Sequence, residues 1–178
     1  MFKLKKLINY IRAKALRCDS FLGSILIYVK VLASLANGYL ASGSWDKTVI
    51  IWNTYYGILV YTLSGHASFV TALISLPNGL LASGSDDNTI KIWNPMNGTL
   101  VFTLSGHLKL IQSLVSLSSD LLASGGYDSI IKIWNINTGS LVTTLTGHSS
   151  VVSTMVLLKN GSFASGSWDF TVKIWHMA

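Results

Sequence analysis

Four evenly spaced segments of this 178-residue chain carry almost the same line of sequence: LASGSWDKTVIIWN (40–53), LASGSDDNTIKIWN (81–94), LASGGYDSIIKIWN (122–135) and FASGSWDFTVKIWH (163–176). Three Gly-His pairs follow the same period at Gly65-His66, Gly106-His107 and Gly147-His148. The segments recur every 41 residues. A unit of this length copied four times cannot bury its own apolar face, so it has to stack on its neighbours. The repeat therefore predicts a stacked array, and it favours a protein that presents a surface over one that catalyses a reaction.

The composition separates a neutral repeat region from a basic beginning. Half of the residues are hydrophobic, 11% are charged, and glutamate is absent. The net charge of +6 lies in the first thirty residues, where Asp19 is the one acid and the basic residues are Lys3, Lys5, Lys6, Arg12, Lys14, Arg17 and Lys30. The other six lysines balance six aspartates, so a basic groove for nucleic acid is not expected in the repeats.

Cys18 is the only cysteine, which excludes an intrachain disulfide and favours a reducing compartment, so we expect a cytoplasmic, intracellular protein. The apolar run 21–29 follows basic residues, as in a secretory signal. However, Tyr28-Val29 stands one repeat period before Phe69-Val70, so we assign the run to the first strand of the first repeat. Lys30 also ends the run well short of the ~20 apolar residues that a membrane span needs.

Residues 65–105 serve as a model of one repeat. Apolar and β-branched runs at 69–76, 80–85, 89–93 and 99–104 alternate with turn residues rich in Asn, Asp, Gly and Pro. Four short antiparallel strands joined by tight turns form one blade of a β-propeller. We therefore expect an all-β fold of four four-stranded antiparallel blades, arranged in an arc or a small ring. Such an arc is either a partial propeller or half of a dimeric ring.

The Gly-His pair, Ser-Gly-Ser, the turn aspartate and Ile-Trp at this spacing resemble the WD-repeat (tryptophan–aspartate repeat) β-propeller family. The resemblance covers residues 24–178 as four repeats of about 41 residues each, and it leaves 1–23 as a basic N-terminal segment. Two departures are visible. The residue after the tryptophan is Asn or His, and Ser24-Ile25 stands where the first Gly-His pair belongs.

The resemblance implies that each later repeat holds a buried hydrogen-bonded network of Trp, Ser, His and Asp. The three networks are Trp93–Ser83–His66–Asp87, Trp134–Ser124–His107–Asp128 and Trp175–Ser165–His148–Asp169. The chemistry is consistent, because an indole N–H only donates, a hydroxyl relays, and a neutral imidazole both accepts and donates. A hydrolase needs such a triad once, in a cleft, so three periodic copies favour a structural role. Metal ligation is not expected, because each histidine belongs to a different blade.

Partner binding is predicted at the residue before each turn aspartate, namely Trp45, Asp86, Tyr127 and Trp168. In the family that the chain resembles, this position faces the top surface of the propeller, where partners dock. Exposed aromatic residues mark interaction sites, whereas packing against a neighbouring loop is the alternative. The resemblance adds the starts of the inner strands as weaker candidates: Tyr28, Lys30, Phe69, Thr71, Leu110, Gln112, Val151 and Ser153.

The expected function is a non-catalytic protein–protein interaction scaffold with no catalytic residue, cofactor, metal or small-molecule substrate. Its protein partners are not identified by the sequence. The alternative is a peripheral membrane or RNA-binding module that uses the basic N-terminal segment, where Leu4, Leu7, Ile8 and Ile11 share helical spacing. That segment is otherwise a solvated terminus or a remnant of an earlier blade. A hydrolase is the third and weakest hypothesis.

Closure of the array raises a separate expectation. The sequence stops after a third strand, and counting back one repeat period from the fourth strand at 57–63 leads to residues 16–22. These residues are positioned to complete the last blade, either within one chain or by exchange between two chains as a homodimer. The remaining alternative is a fragment that aggregates.

Overall fold

The computed structural model describes residues 28–176, and all regular structure in this range is β-strand. The strands are β1 (Val29–Ser34), β2 (Leu40–Ser44), β3 (Val49–Asn53), β4 (Ile58–Leu63), β5 (Val70–Ser75), β6 (Leu81–Ser85), β7 (Thr89–Asn94), β8 (Thr99–Ser105), β9 (Ile111–Ser116), β10 (Leu121–Gly126), β11 (Ile131–Asn135), β12 (Ser140–Leu145), β13 (Val152–Leu157), β14 (Phe163–Ser167) and β15 (Val172–Trp175). Between residues 28 and 176 no helix is long and apolar enough to cross a membrane.

Consecutive strands form four separate antiparallel sheets, which we number in chain order. Sheet 1 is β1-β2-β3-β4, sheet 2 is β5-β6-β7-β8, sheet 3 is β9-β10-β11-β12, and sheet 4 is β13-β14-β15. Strand β15 pairs with β14, and among the described residues it has no outer partner. The expectation of an all-β fold built from four blades is confirmed, and the fourth blade has three strands.

The turn between the second and third strands has the same construction in sheets 1, 2 and 4, whereas sheet 3 has Gly126 in place of the serine. In sheet 1 the Asp46 backbone N–H donates to Ser44 Oγ at 3.1 Å, and the Thr48 N–H donates to Asp46 Oδ1 at 2.9 Å. Short polar side chains that bond the nearby backbone stabilise such turns. The next residue takes a left-handed backbone in every copy, and these residues are Lys47, Asn88, Ser129 and Phe170.

The sheets stack through their first strands. Strands β1, β5, β9 and β13 contact one another in chain order, whereas β1 and β13 share no comparable contact. Three apolar clusters fill the three spaces between consecutive sheets. A glycine in the second strand allows the close approach: a Cβ on Gly84 would lie 2.6 Å from Ile111 Cγ2 of the next sheet. The molecule is therefore an arc of four stacked blades, a partial propeller.

Several expectations fall outside the described range. These are the basic segment 1–23, Cys18, the proposed closing strand 16–22 and the departure at Ser24-Ile25. Of the apolar run 21–29, Val29 lies in β1, Tyr28 immediately precedes it, and residues 21–27 lie outside the described residues.

Candidate functional site

Sheets 2, 3 and 4 each contain one buried chain of hydrogen bonds. In sheet 2 the Trp93 indole N–H donates to Ser83 Oγ at 2.8 Å, His66 Nε2 lies 2.7 Å from that oxygen, and His66 Nδ1 lies 2.7 Å from Asp87 Oδ2. The corresponding distances in sheet 3 are 2.7, 2.8 and 2.7 Å. Those in sheet 4 are 2.8, 2.7 and 2.7 Å. The structure thus brings together all twelve residues that the resemblance implied.

Each network satisfies polar groups that the stacked sheets remove from water. With the proton on Nδ1, the histidine donates to the carboxylate and accepts from the serine hydroxyl, which in turn accepts from the indole. Throughout residues 28–176, every buried side-chain nitrogen and oxygen that can be assessed has a hydrogen-bond partner. A fully connected buried network adds rigidity, whereas a broken one leaves unpaired groups at a cost in stability.

The aspartates of these networks are held as carboxylates. Burial of Asp87 acts to raise its pKa, but hydrogen bonds from His66, Thr89 and the Ala67 backbone outweigh it and hold the pKa well below its ordinary value. Burial of Asp128 is likewise outweighed by hydrogen bonds from His107 and from the backbone of Leu108 and Ile130, which lower its pKa. For Asp169 the hydrogen bond from Thr171 is the largest influence, and the pKa is again well below its ordinary value.

Burial makes the hydroxyl oxygens of Ser83 and Ser124 inaccessible from solvent. Ser83 and Ser124 are fully buried, and each hydroxyl oxygen already accepts from an indole N–H. A substrate carbonyl could not reach either oxygen unless the stacked sheets separated. Within the described range, no group of three or more His, Cys, Asp or Glu side chains is arranged to hold a metal ion.

A threonine two residues after the turn aspartate extends the network. The sequence pattern had not predicted this threonine as a member. Thr89 Oγ1 donates to Asp87 Oδ1 at 2.6 Å, and Thr171 Oγ1 donates to Asp169 Oδ1 at 2.6 Å. Thr48 makes the same bond to Asp46 at 2.7 Å. Sheet 3 has Ile130 at this position, which offers only its backbone N–H, at 3.3 Å. The signal was a threonine at the same phase in three of the four repeats.

Sheet 1 keeps only part of the arrangement. The Trp52 indole N–H donates to Ser42 Oγ at 2.8 Å. The Asp46 carboxylate accepts from the backbone N–H and the hydroxyl of Thr48 in its own turn. The repeat position of the histidine is Ile25, which lies outside the described residues.

The four predicted partner-binding positions lie at one edge of the sheets, beside the starts of the first strands. The backbone N–H of Trp45 donates to the Tyr28 carbonyl at 3.1 Å, and that of Asp86 donates to the Phe69 carbonyl at 2.9 Å. Tyr127 and Trp168 make the same bonds to Leu110 and Val151. The turn positions and the starts of the first strands, which were predicted as two separate sets, therefore lie together at one edge of the sheets, which we call the aromatic edge.

The aromatic edge contains two clusters, each of which joins neighbouring sheets. Trp45 lies between Tyr28 and Phe69, with ring centroids 4.5 and 5.0 Å away, and all three side chains are exposed. Tyr127 of sheet 3 meets Trp168 of sheet 4 edge-on at 5.3 Å; Trp168 is exposed and Tyr127 is half-buried. The exposed Asp86 carboxylate accepts from the Ser68 hydroxyl at 3.3 Å.

Not every weaker candidate contributes to this edge. Lys30 is exposed, and Thr71, Leu110, Gln112 and Ser153 are half-buried, so each of these retains some contact with solvent. Val151 is buried and presents no side chain to a partner.

Comparisons with known proteins agree with this geometry. No curated protein sequence matches the chain significantly. Three similar solved structures are "Crystal structure of the computationally designed Ika4 protein" (34% identity, TM-score 0.79, covering 88% of this chain and 96% of that one), "Structure of U3-55K" (25%, 0.80, 88% and 51%) and "Crystal structure of RRP9 WD40 repeats" (25%, 0.80, 86% and 49%). The chain thus spans nearly all of the designed protein and about half of the other two.

The sequence model of the family described as "WD domain, G-beta repeat" matches residues 30–53, 57–94, 98–135 and 139–176. Each match ends with the third strand of one sheet and its tryptophan. Because these matches include all four repeats and together span most of the chain, the protein belongs to the WD40 repeat family.

Proposed function

We propose that this chain is a non-catalytic scaffold that binds a protein partner through the aromatic edge. WD40 propellers generally act as protein-interaction scaffolds. The observation that carries the proposal is the Tyr28–Trp45–Phe69 stack, in which three large rings are held in place and remain exposed to solvent.

Such a stack favours binding for two physical reasons. Aromatic rings bury a large area per side chain, and tryptophan and tyrosine dominate the energetics of many interfaces. The rings already restrict one another, so little side-chain entropy is lost when a partner covers them. Asp86 adjoins Phe69 through their backbone hydrogen bond, and a carboxylate beside exposed rings suits a partner segment with apolar and basic side chains.

The buried state of the serines supports the non-catalytic part of the proposal, because the Ser-His-Asp groups serve the fold rather than a substrate. Cytoplasmic location remains part of the proposal and is supported by the lone Cys18. A homodimer through blade or strand exchange is proposed as well. Its strand-exchange form depends on residues 16–22, which lie outside the described residues.

The test replaces Trp45, Tyr127 and Trp168 together with serine and measures partner capture by crosslinking and mass spectrometry. The matched control is the triple serine variant of Tyr55, Tyr56 and Met96, three exposed residues in turns at the opposite edge of the sheets. We expect the first variant to lose the proteins that the wild type captures, and the control to retain them. Both should keep the wild-type circular dichroism spectrum. Equal capture by the two variants would contradict the proposal, and unfolding of the first would show that its residues are core.

A further inference from the structure

The outer face of sheet 4 is exposed where the same face of every other sheet is covered. Val172 is 75% exposed and Ile174 is 57% exposed. Their counterparts one repeat earlier, Ile131 and Ile133, are 1% and 0% exposed. The counterparts in sheets 1 and 2 are equally buried, namely Val49, Ile51, Ile90 and Ile92. The side chains are nearly the same, so the neighbour makes the difference.

The three contacts between consecutive sheets show what covers this face in sheets 1, 2 and 3. A β-branched residue at the start of the next sheet packs over the glycine of the second strand: Val70 on Gly43, Ile111 on Gly84 and Val152 on Gly125, each 2.6–2.7 Å from a Cβ that the glycine lacks. For Gly166 of sheet 4 the nearest atom is Thr154 Cγ2 of its own sheet, at 3.1 Å. Among residues 28–176, therefore, no residue of a following sheet fills the recess at Gly166.

The opposite end of the arc exposes the complementary half of this contact. Val29 occupies the repeat position of Val70, Ile111 and Val152, which are all 0% exposed, yet Val29 itself is 38% exposed. Leu32, on the same face, is 46% exposed. The first sheet thus exposes Val29, whose counterparts in the other three sheets fill the glycine recesses at the three internal contacts.

Phe170 adds an observation at the same end of the molecule. It is 100% exposed, and it has a left-handed backbone with φ 64°. The equivalent residues, Lys47, Asn88 and Ser129, are polar. A bulky aromatic side chain is disfavoured in this conformation and gains nothing from exposure to water. A contact with another molecule would bury it.

We propose that the outer face of sheet 4 binds the outer face of sheet 1 in a second copy of this chain. Val29 of one copy occupies the Gly166 recess of the other, and Ile174 is covered as Ile133 is. The two faces are different surfaces, so the contact is head-to-tail, and such contacts form a closed ring when the rotation permits. Two copies make two identical contacts.

The number of copies follows from ring size. Propellers contain about four to eight blades. With the four blades of residues 28–176, one chain closing on itself gives the lower limit, two chains give the upper limit, and three chains exceed it. A single chain is not closed, because its two end faces are exposed and β1 does not pack on β13. The proposal is independent of the partner proposed for the aromatic edge.

The first measurement is the mass of the purified chain by size-exclusion chromatography with light scattering. We expect twice the mass of one chain. The single variants Ile174→Asp and Val29→Lys should each reduce the measured mass twofold, because either charge would be buried in an apolar contact. Both sites are exposed in the single chain, so both variants should fold, as circular dichroism would show. The matched controls Tyr55→Asp and Tyr56→Lys, at exposed positions in the turn between β3 and β4, should keep the doubled mass.

Mixing the two variants tests the head-to-tail geometry. In a mixed pair, one contact joins two unaltered faces, and the other sets the introduced carboxylate against the introduced ammonium group. We expect the mixture to regain the doubled mass. A wild type with the mass of one chain, or of more than two, would overturn the two-copy ring. If the Val29→Lys variant keeps the doubled mass, or if the mixture stays at the mass of one chain, the head-to-tail contact is overturned.

Discussion

Sheets 3 and 4 contain nearly the same third strand, Ile-Lys-Ile-Trp at 131–134 and Val-Lys-Ile-Trp at 172–175, in two different surroundings. Their polar networks agree to within 0.1 Å at every hydrogen bond that joins Trp, Ser, His and Asp. Their apolar faces differ completely, because Ile133 is fully buried and Ile174 is exposed. The polar network is therefore a property of one repeat, and burial is a property of a pair of sheets.

The largest effect that we expect concerns this apolar pair. Ile133→Ala should lower the free energy of unfolding by about 2–5 kcal/mol, because it leaves a cavity between sheets 3 and 4. Ile174→Ala should change it by less than about 0.5 kcal/mol, as at other exposed sites. Denaturant unfolding of both variants in the Val29→Lys background, where the outer face of sheet 4 stays free, measures the difference. Equal losses would show that something other than a neighbouring sheet buries these side chains.

A smaller effect separates the complete networks from the partial network of sheet 1. Ser124→Ala removes the shared partner of His107 and Trp134, whereas Ser42→Ala leaves only the Trp52 indole without its acceptor. Each buried polar group left without a partner costs about 1–3 kcal/mol. Ser124→Ala should therefore lower the free energy of unfolding by that much more than Ser42→Ala does. Thermal or denaturant unfolding compares the two matched variants. If the two losses are the same, the histidine adds nothing to the network.

The smallest effect is a dependence on pH. The pKa of Asp87 is lower in the folded chain than its ordinary value, so below about pH 4 the unfolded chain binds more protons and stability falls with falling pH. Above about pH 4 the contribution of ionised Asp87 to the stability of the fold is fully present. Asp87→Asn should be less stable than the wild type at neutral pH, and its loss of stability on acidification should be shallower. Unfolding curves between about pH 2 and pH 6 give both slopes, and parallel slopes would exclude Asp87 as a source of the acid sensitivity.

The sequence predicted much of the site because the networks are local in sequence. His148, Ser165, Asp169 and Trp175 lie within one repeat, and their spacing together with the family resemblance named all four. The threonine of the network was missed, since a threonine after a turn aspartate is also common in ordinary strands. Ile130 shows that this hydroxyl is dispensable in sheet 3. The aromatic edge was named as two separate sets of residues, because the sequence does not show that the turn of one sheet touches the start of the next.

The sequence by itself determined the unit and its chemistry: strands of alternating pattern, turns held by Asp and Ser side chains, and buried polar groups matched within each repeat. These features depend on contacts between residues that are close along the chain or at fixed repeat distances. The tertiary structure alone decided which apolar faces are covered, since stacking depends on whether another sheet is present and on the direction from which it packs. Val29 and Val70, or Ile133 and Ile174, cannot be distinguished by their local sequence, and only the position of each sheet in the arc makes one core and the other surface.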